Sequence, residues 1–174
     1  MDYAIGGWTL GTIVALQSGA PSIISGGYDT LNFSDSGVIL NNGVTTQKLQ
    51  SGVGQYKSGN PWVYGLNPAT YIAGNGVASS SSISPNTTPG TYAYRPFLYS
   101  PGWYNIDLSI NKTIPIRERL HFTIQAELLN ATNHPTFNFA SNSSSLSIQS
   151  TSFGQMTSGA TSPRVVELRA NIVF

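Results

Sequence analysis

Two arms on either side of residues 114–119 alternate apolar and polar side chains without a break. In WYNIDLSINKT, Tyr104, Ile106, Leu108 and Ile110 fall on one face, with Asn105, Asp107, Ser109 and Asn111 on the other. In RLHFTIQAELLN, Leu120, Phe122, Ile124, Ala126 and Leu128 share one face and His121, Thr123, Gln125 and Glu127 the other. Side chains alternate sides of a strand, so this period of two predicts strands over 103–113 and 119–130, joined through IPIRER with Pro115 in the turn. The last residues repeat the pattern: Val166, Leu168, Ala170, Ile172 and Phe174 against Glu167, Arg169 and Asn171, which predicts a strand over 164–174. A first strand over 3–18 places Trp8, Leu10, Thr12, Val14 and Leu16 together. A helix there is disfavoured, since Gly6, Gly7 and Gly11 would each cost about 1 kcal/mol. Ser18-Gly19-Ala20-Pro21 closes this strand, with a short continuation over Ser22–Ser25. The pattern predicts an all-β chain, an antiparallel meander of about four long strands in a single β-domain over residues 1–174.

Between the strands the periodicity fades. Residues 26–98 read as a long loop with Asn67-Pro68, a serine run from Ser79 to Ser82, and scattered aromatics from Tyr56 to Tyr99. Short strands at Val38–Leu40 and Val44–Leu49 would form a hairpin through Asn42-Gly43. A second loop, 136–162, is again rich in Ser, Asn and Thr. A loop as long as 26–98 normally signals either function or disorder.

A two-faced sheet of this kind is either soluble, with its apolar face on a core, or part of a transmembrane barrel, with that face on lipid. Phe174, an aromatic residue on the apolar face of the last strand, favours the barrel. So does composition: 9% of the 174 residues are charged, against about a quarter in ordinary soluble domains. A barrel also has short periplasmic turns and long outer loops. With the final strand ending at the periplasm, the turn at Ile114–Arg119 is periplasmic and both long loops lie outside. No stretch is apolar for the length of a membrane-spanning helix. MDYAIGGWTLGT lacks the positive n-region of a signal peptide. A net charge of +1 gives no case for a nucleic-acid partner.

Chemical motifs are sparse. The chain has no Cys, hence no disulfide framework and no thiolate metal site. It has no GxSxG, HExxH or GxxxxGK[ST] motif, and GNGVAS from Gly74 lacks the third glycine of a dinucleotide fingerprint. His121 and His134 have no acidic residue at ligand spacing, which reads as lumen-facing or loop-packing histidine. Sequons begin at Asn32, Asn86, Asn111, Asn130 and Asn142; composition alone generates them, and they are not read as glycosylated. Asp107, Glu127, Glu167 and Arg169 share the polar face and read as cross-strand pairing that fixes register rather than a permeation path. Trp8, Tyr104 and Phe174 on the apolar face read as interface-girdle or sheet-packing residues. No catalytic, cofactor-binding or metal-binding residue is expected, and the chain does not read as an enzyme.

Three segments carry a resemblance: GGWTLGTIVALQSGAP, PGWYNIDLSINKTIPIRERLHFTIQAELLNATNHPTF, and FGQMTS followed by PRVVELRANIVF. They resemble the C-terminal end of a TonB-dependent outer-membrane receptor of the kind with a carboxypeptidase-regulatory-like N-terminal domain. Glu127, Asn130, Asn133-His134-Pro135 and Phe137, in order after the turn, are the most specific part. The resemblance implies an incomplete piece of an outer-membrane barrel that imports large nutrients with energy from the inner membrane. Plug and TonB-box segments have no counterpart here, and even small barrels have eight strands, so no transport activity is expected of this chain alone. Its expected partners are the remaining barrel strands, or copies of itself through edge strands, and outer-membrane lipid. The alternative is a self-assembling extracellular or cell-envelope structural β-protein, a filament or surface-layer subunit.

Overall fold

The computed structural model describes residues 5–31, 35–57, 63–139, 146–158 and 162–174. Its strands are β1 (Trp8–Gln17), β2 (Pro21–Ile23), β3 (Val38–Leu40), β4 (Tyr56–Lys57), β5 (Val63–Tyr64) and β6 (Ile83–Pro85). They continue with β7 (Phe97–Tyr99), β8 (Trp103–Arg117), β9 (Leu120–Leu129), β10 (Phe137–Asn138), β11 (Gln155–Ser158) and β12 (Val165–Val173). Two short helices, α1 (Thr46–Ser51) and α2 (Pro68–Tyr71), complete the described elements. The chain divides into two compact units. Unit 1 takes residues 1–17, 103–136 and 160–174; unit 2 takes 18–102 and 137–159.

Unit 1 is built on one antiparallel sheet in the order β1-β8-β9-β12. Register follows the apolar parity. Leu10 lies opposite Ile110, Ile110 opposite Ala126, and Ala126 opposite Leu168. The row Val14–Ile106 and the row Leu108–Leu128–Val166 lie on the same face. A one-residue slip anywhere would move a whole strand's apolar set to the other side, which is why the alternation fixes the pairing. The predicted four-strand antiparallel meander, open at both edges, is the observed fold.

The hairpin turn is shorter than expected. β8 runs through Pro115 to Arg117, so Glu118 and Arg119 alone form the turn. Pro115 is tolerated because of where its nitrogen points. Thr113 donates its N–H to the Gly7 carbonyl oxygen at 2.9 Å. Two residues on, the Pro115 nitrogen faces the same side, beyond the start of β1, where no ladder bond is lost. A register shift between Pro115 and Arg117 absorbs the odd residue as a bulge. β1 itself starts at Trp8 rather than residue 3. Gly7 sits at φ 71°, where a Cβ would run into the Thr113 carbonyl oxygen, so the chain bends there. Residues 3 and 4 lie outside the described residues.

Unit 2 shows that 26–98 is not a bare loop. Short antiparallel pairs (β2 with β7, β3 with β6, and β4-β5-β11-β10) enclose a core containing Ile24, Leu49, Leu66, Ile83, Phe139 and Phe153, each at most 1% exposed. Asp35 organises one corner: its Oδ1 accepts from the N–H groups of Gly26, Gly27 and Gly37 at 3.0, 3.2 and 3.2 Å. The expected Val44–Leu49 strand is instead helix α1. Thr45 Oγ1 accepts from Lys48 N at 3.2 Å, an N-cap that starts the helix. Asn42 (φ 51°) and Gly43 (φ 70°) do form the tight turn, closed by Val44 N to Asn41 O at 3.0 Å, but it leads from a strand into a helix. The strand partner of β3 is β6, with Ile39 opposite Ser84.

Candidate functional site

The two units differ in what they bury. Among the described residues, every buried apolar side chain belongs to unit 2. The buried residues of unit 1 are Lys112, Asn130 and Thr136, all polar. Its apolar residues lie open instead: Leu10 is 69% exposed, Leu168 73% and Ile172 61%. Ile124 is exposed, and Phe122 and Leu120 are half-buried in the sheet. An apolar surface of this extent is not stable against water, so it marks a surface that meets lipid or another chain. No described helix is long and apolar enough to cross a bilayer. The strands have the length to do so: β1 and β9 have 10 residues and β12 has 9, against about 9–11 for a tilted transmembrane strand.

The face has two different ends. Near the β8–β9 turn, the row Trp8–Lys112–Ile124–Ala170 crosses the sheet. Lys112 therefore stands on the apolar face, where sequence parity read only to Asn111 did not place it. Its amine lies 4.8 Å from the centroid of the Trp8 ring and donates to the Gly6 carbonyl oxygen. The cation is thus held by an aromatic face and a backbone dipole. Phe174, on the same parity just past β12, belongs to this end. Tyr104, opposite Leu16, belongs to the other. The expected girdle residues accordingly divide between the two ends of the apolar face.

Both long segments join the sheet at the Tyr104 end. Gln17 pairs with Trp103, and Val165 with Leu129. The sequence NATNHP forms a buckle there. Asn130 (φ 49°) and Asn133 (φ 48°) take the left-handed conformation that Asn tolerates better than most residues. Asn130 Nδ2 donates to Ser162 O at 2.8 Å, its Oδ1 accepts from His134 N at 3.2 Å, and Asn133 Oδ1 accepts from Arg164 N at 3.3 Å. The His134 ring stacks on Tyr104 with centroids 4.4 Å apart and planes at 16°. His134 is therefore a packing residue beside β8. His121 sits opposite Pro115 and Val173 at the other end. The two histidines do not meet, and the described residues hold no group of three potential metal ligands.

On the polar face Ser109, Glu127 and Glu167 form one row, and Asn111, Gln125 and Arg169 the next. The expected cross-strand ion pair is not what forms. Arg169 Nε contacts Glu167 Oε1 at 2.7 Å along β12 itself, while Glu167 directly faces Glu127. Gln125 Nε2 donates to Glu127 Oε1 at 2.5 Å, which offsets part of the repulsion. Asp107 is structural. Its Oδ1 accepts from Asn105 Nδ2 at 2.9 Å and from Asn130 N at 2.8 Å, tying β8 to the buckle. Of the sequons, Asn86 is buried and donates to Thr91 O at 2.9 Å, and Asn130 is committed to the buckle. Asn111 lies within β8, and Asn32 and Asn142 fall outside the described residues.

An open antiparallel sheet whose apolar face is uncovered and carries aromatics at both ends defines an outer-membrane type of β-protein. A family model described as outer membrane beta barrel domain matches residues 1–167, and the chain belongs to that family. Its place is the bacterial outer membrane. No curated protein and no solved structure matches it.

Proposed function

We propose that this chain supplies the C-terminal wall strands of a TonB-dependent outer-membrane receptor and has no transport or catalytic activity of its own. The observation that carries the reading is the open four-stranded sheet with its apolar face uncovered. A sheet in lipid must close, because each unpaired backbone group there costs several kcal/mol. Closure takes at least eight strands, so β1 and β12 pair with further barrel strands. The receptor type rests on the resemblance of residues 101–137, whose distinctive Asn130, Asn133 and His134 form the buckle between β8, β9 and β12.

The test has two arms. The purified chain reconstituted alone in planar bilayers should give no steady conductance. In the intact outer membrane, a photo-crosslinking residue at Thr9 on β1 or Asn171 on β12 should capture barrel strands other than β1, β8, β9 and β12, whether on the same polypeptide or another. The barrel so completed should hold a plug, and uptake through it should stop when the inner-membrane potential is collapsed. A steady conductance by the chain alone, or crosslinks to copies of itself exclusively, would overturn the reading; the second result would establish the self-assembling alternative.

A further inference from the structure

Unit 2 carries a trough of unusual chemistry on both sides of α1. One hollow, about 830 Å³, is lined by β3 and by Val44, Thr45, Thr46, Gln47, Tyr92 and Tyr94. A second, about 450 Å³, is lined by Thr46, Gln47, Gln50, Ser51, Phe97 and Tyr99. They share Thr46 and Gln47, so the start of the helix forms the rim between them. Both volumes fall in the range of ligand pockets, about 300–1,000 Å³. Among the described residues, no charged side chain lines either one. Four rings, Tyr92, Tyr94, Phe97 and Tyr99, stand more than half exposed.

We propose that this trough binds a neutral, pyranose-based oligosaccharide. The C–H faces of a sugar ring pack on exposed aromatic faces, and its hydroxyls need donors and acceptors of both kinds. The rings supply the first requirement, with rigid amphipathic contact area at low cost in side-chain entropy. Thr46 and Gln47 on α1 supply the second, with Ser51, whose hydroxyl donates to Lys48 O at 3.0 Å, as a further acceptor. The trough is also preorganised. Gln50 Nε2 donates to Tyr99 O at 3.1 Å, and Gln50 Oε1 accepts from Tyr99 N at 2.7 Å, so one side-chain amide fastens β7 to the helix. An anionic ligand would find no countercharge in the lining. A purely apolar one would leave the amide and hydroxyl groups of α1 unused. The inference concerns unit 2 by itself and stands apart from the transport reading.

Calorimetric titration of the full chain, held in an amine-oxide detergent because alkyl glycosides would compete, checks this directly. The probes are gluco-, xylo- and mannohexaose, with an oligogalacturonate as the anionic control. At least one neutral hexaose should bind and the control should not. Tyr92→Ala with Tyr94→Ala, and Phe97→Ala separately, should each weaken binding about tenfold, since each removes a stacking surface. Tyr94→Phe, which keeps the ring, should bind nearly as the natural chain does. That contrast separates lost contact from lost fold, as does an unchanged far-ultraviolet spectrum. The proposal falls if no hexaose binds at millimolar concentration, or if the ring deletions bind as tightly as the natural chain. It falls as well if a crosslinker at Tyr94 captures a polypeptide that hexaose does not displace.

Discussion

A cation on a lipid-facing strand costs about 2–4 kcal/mol at the bilayer midplane and about 0–1 near its surface. Lys112 shares the apolar face with Ile110 and Ile114 but lies in the Trp8 row near the β8–β9 turn, where that cost is small. Its contact with the Trp8 ring and the Gly6 carbonyl lowers it further. Lys112→Leu should therefore change stability in lipid vesicles by less than about 1 kcal/mol, whereas Leu108→Lys, deeper into the same face, should cost about 2–4 kcal/mol. Urea titration of the vesicle-bound chain compares the two, and equal losses would mean that the Lys112 row is not at an interface. Asn130 gives the second test at this scale. Asn130→Ala removes hydrogen bonds to Ser162 and His134 and leaves a β-carbon at φ 49°. A loss of about 2 kcal/mol is expected. Asn130→Gly should recover only the part due to backbone strain, about 1 kcal/mol.

Among elements, the strands of unit 1 were legible in the sequence because each carries its own record of its two faces. Parity places Leu108, Ala126 and Leu168 together before any pairing is known, and the register agrees. The limits of parity are equally specific. It does not show that the nitrogen of Pro115 points past the start of β1, so it ends β8 too early. Nor does it distinguish strand from helix over residues 44–49, where the deciding feature is the Thr45 N-cap rather than any periodicity. The pairing of charges is illegible for a related reason: parity gives the face, but whether Arg169 meets Glu167 or Glu127 depends on rotamers. Two predictions belong here. Because the chain has no Cys, single cysteines at Leu10, Ala126 and Leu168, carrying spin labels in vesicles, should collide with lipid-dissolved oxygen. Labels at Ser109, Gln125 and Asn171 should collide instead with a water-soluble nickel chelate; a loss of this alternation would remove the two-faced reading. Glu127→Gln should leave the midpoint of the same urea titration nearly unchanged, since it relieves the carboxylate facing Glu167 but also removes the attraction between Glu127 and Arg169.

In the whole molecule, the core of unit 2 is hidden from periodicity because it is assembled from single apolar residues far apart. Ile24, Leu49, Ile83, Leu98 and Phe153 sit in segments of mixed polar, Gly, Pro and aromatic residues that carry no sustained apolar alternation. The sheet of unit 1 gives the corresponding prediction about association. In detergent-free buffer its exposed apolar face and two open edges should drive the full chain into oligomers, visible as excess mass in light scattering. Leu168→Lys with Ala170→Lys should reduce that mass, and detergent should abolish it; a stable monomer in plain buffer would contradict the exposed face. The two-residue turn at Glu118–Arg119 carries a further consequence, in time rather than in space. Closing a loop costs entropy that grows with its length, and β8 meets β9 through two residues while β1 reaches β8 only after residues 18–102. The β8–β9 hairpin is therefore the natural first event, forming in about microseconds. The middle of the sheet then precedes its rims, and the order in which strands commit to the membrane differs from the order in which the ribosome delivers them.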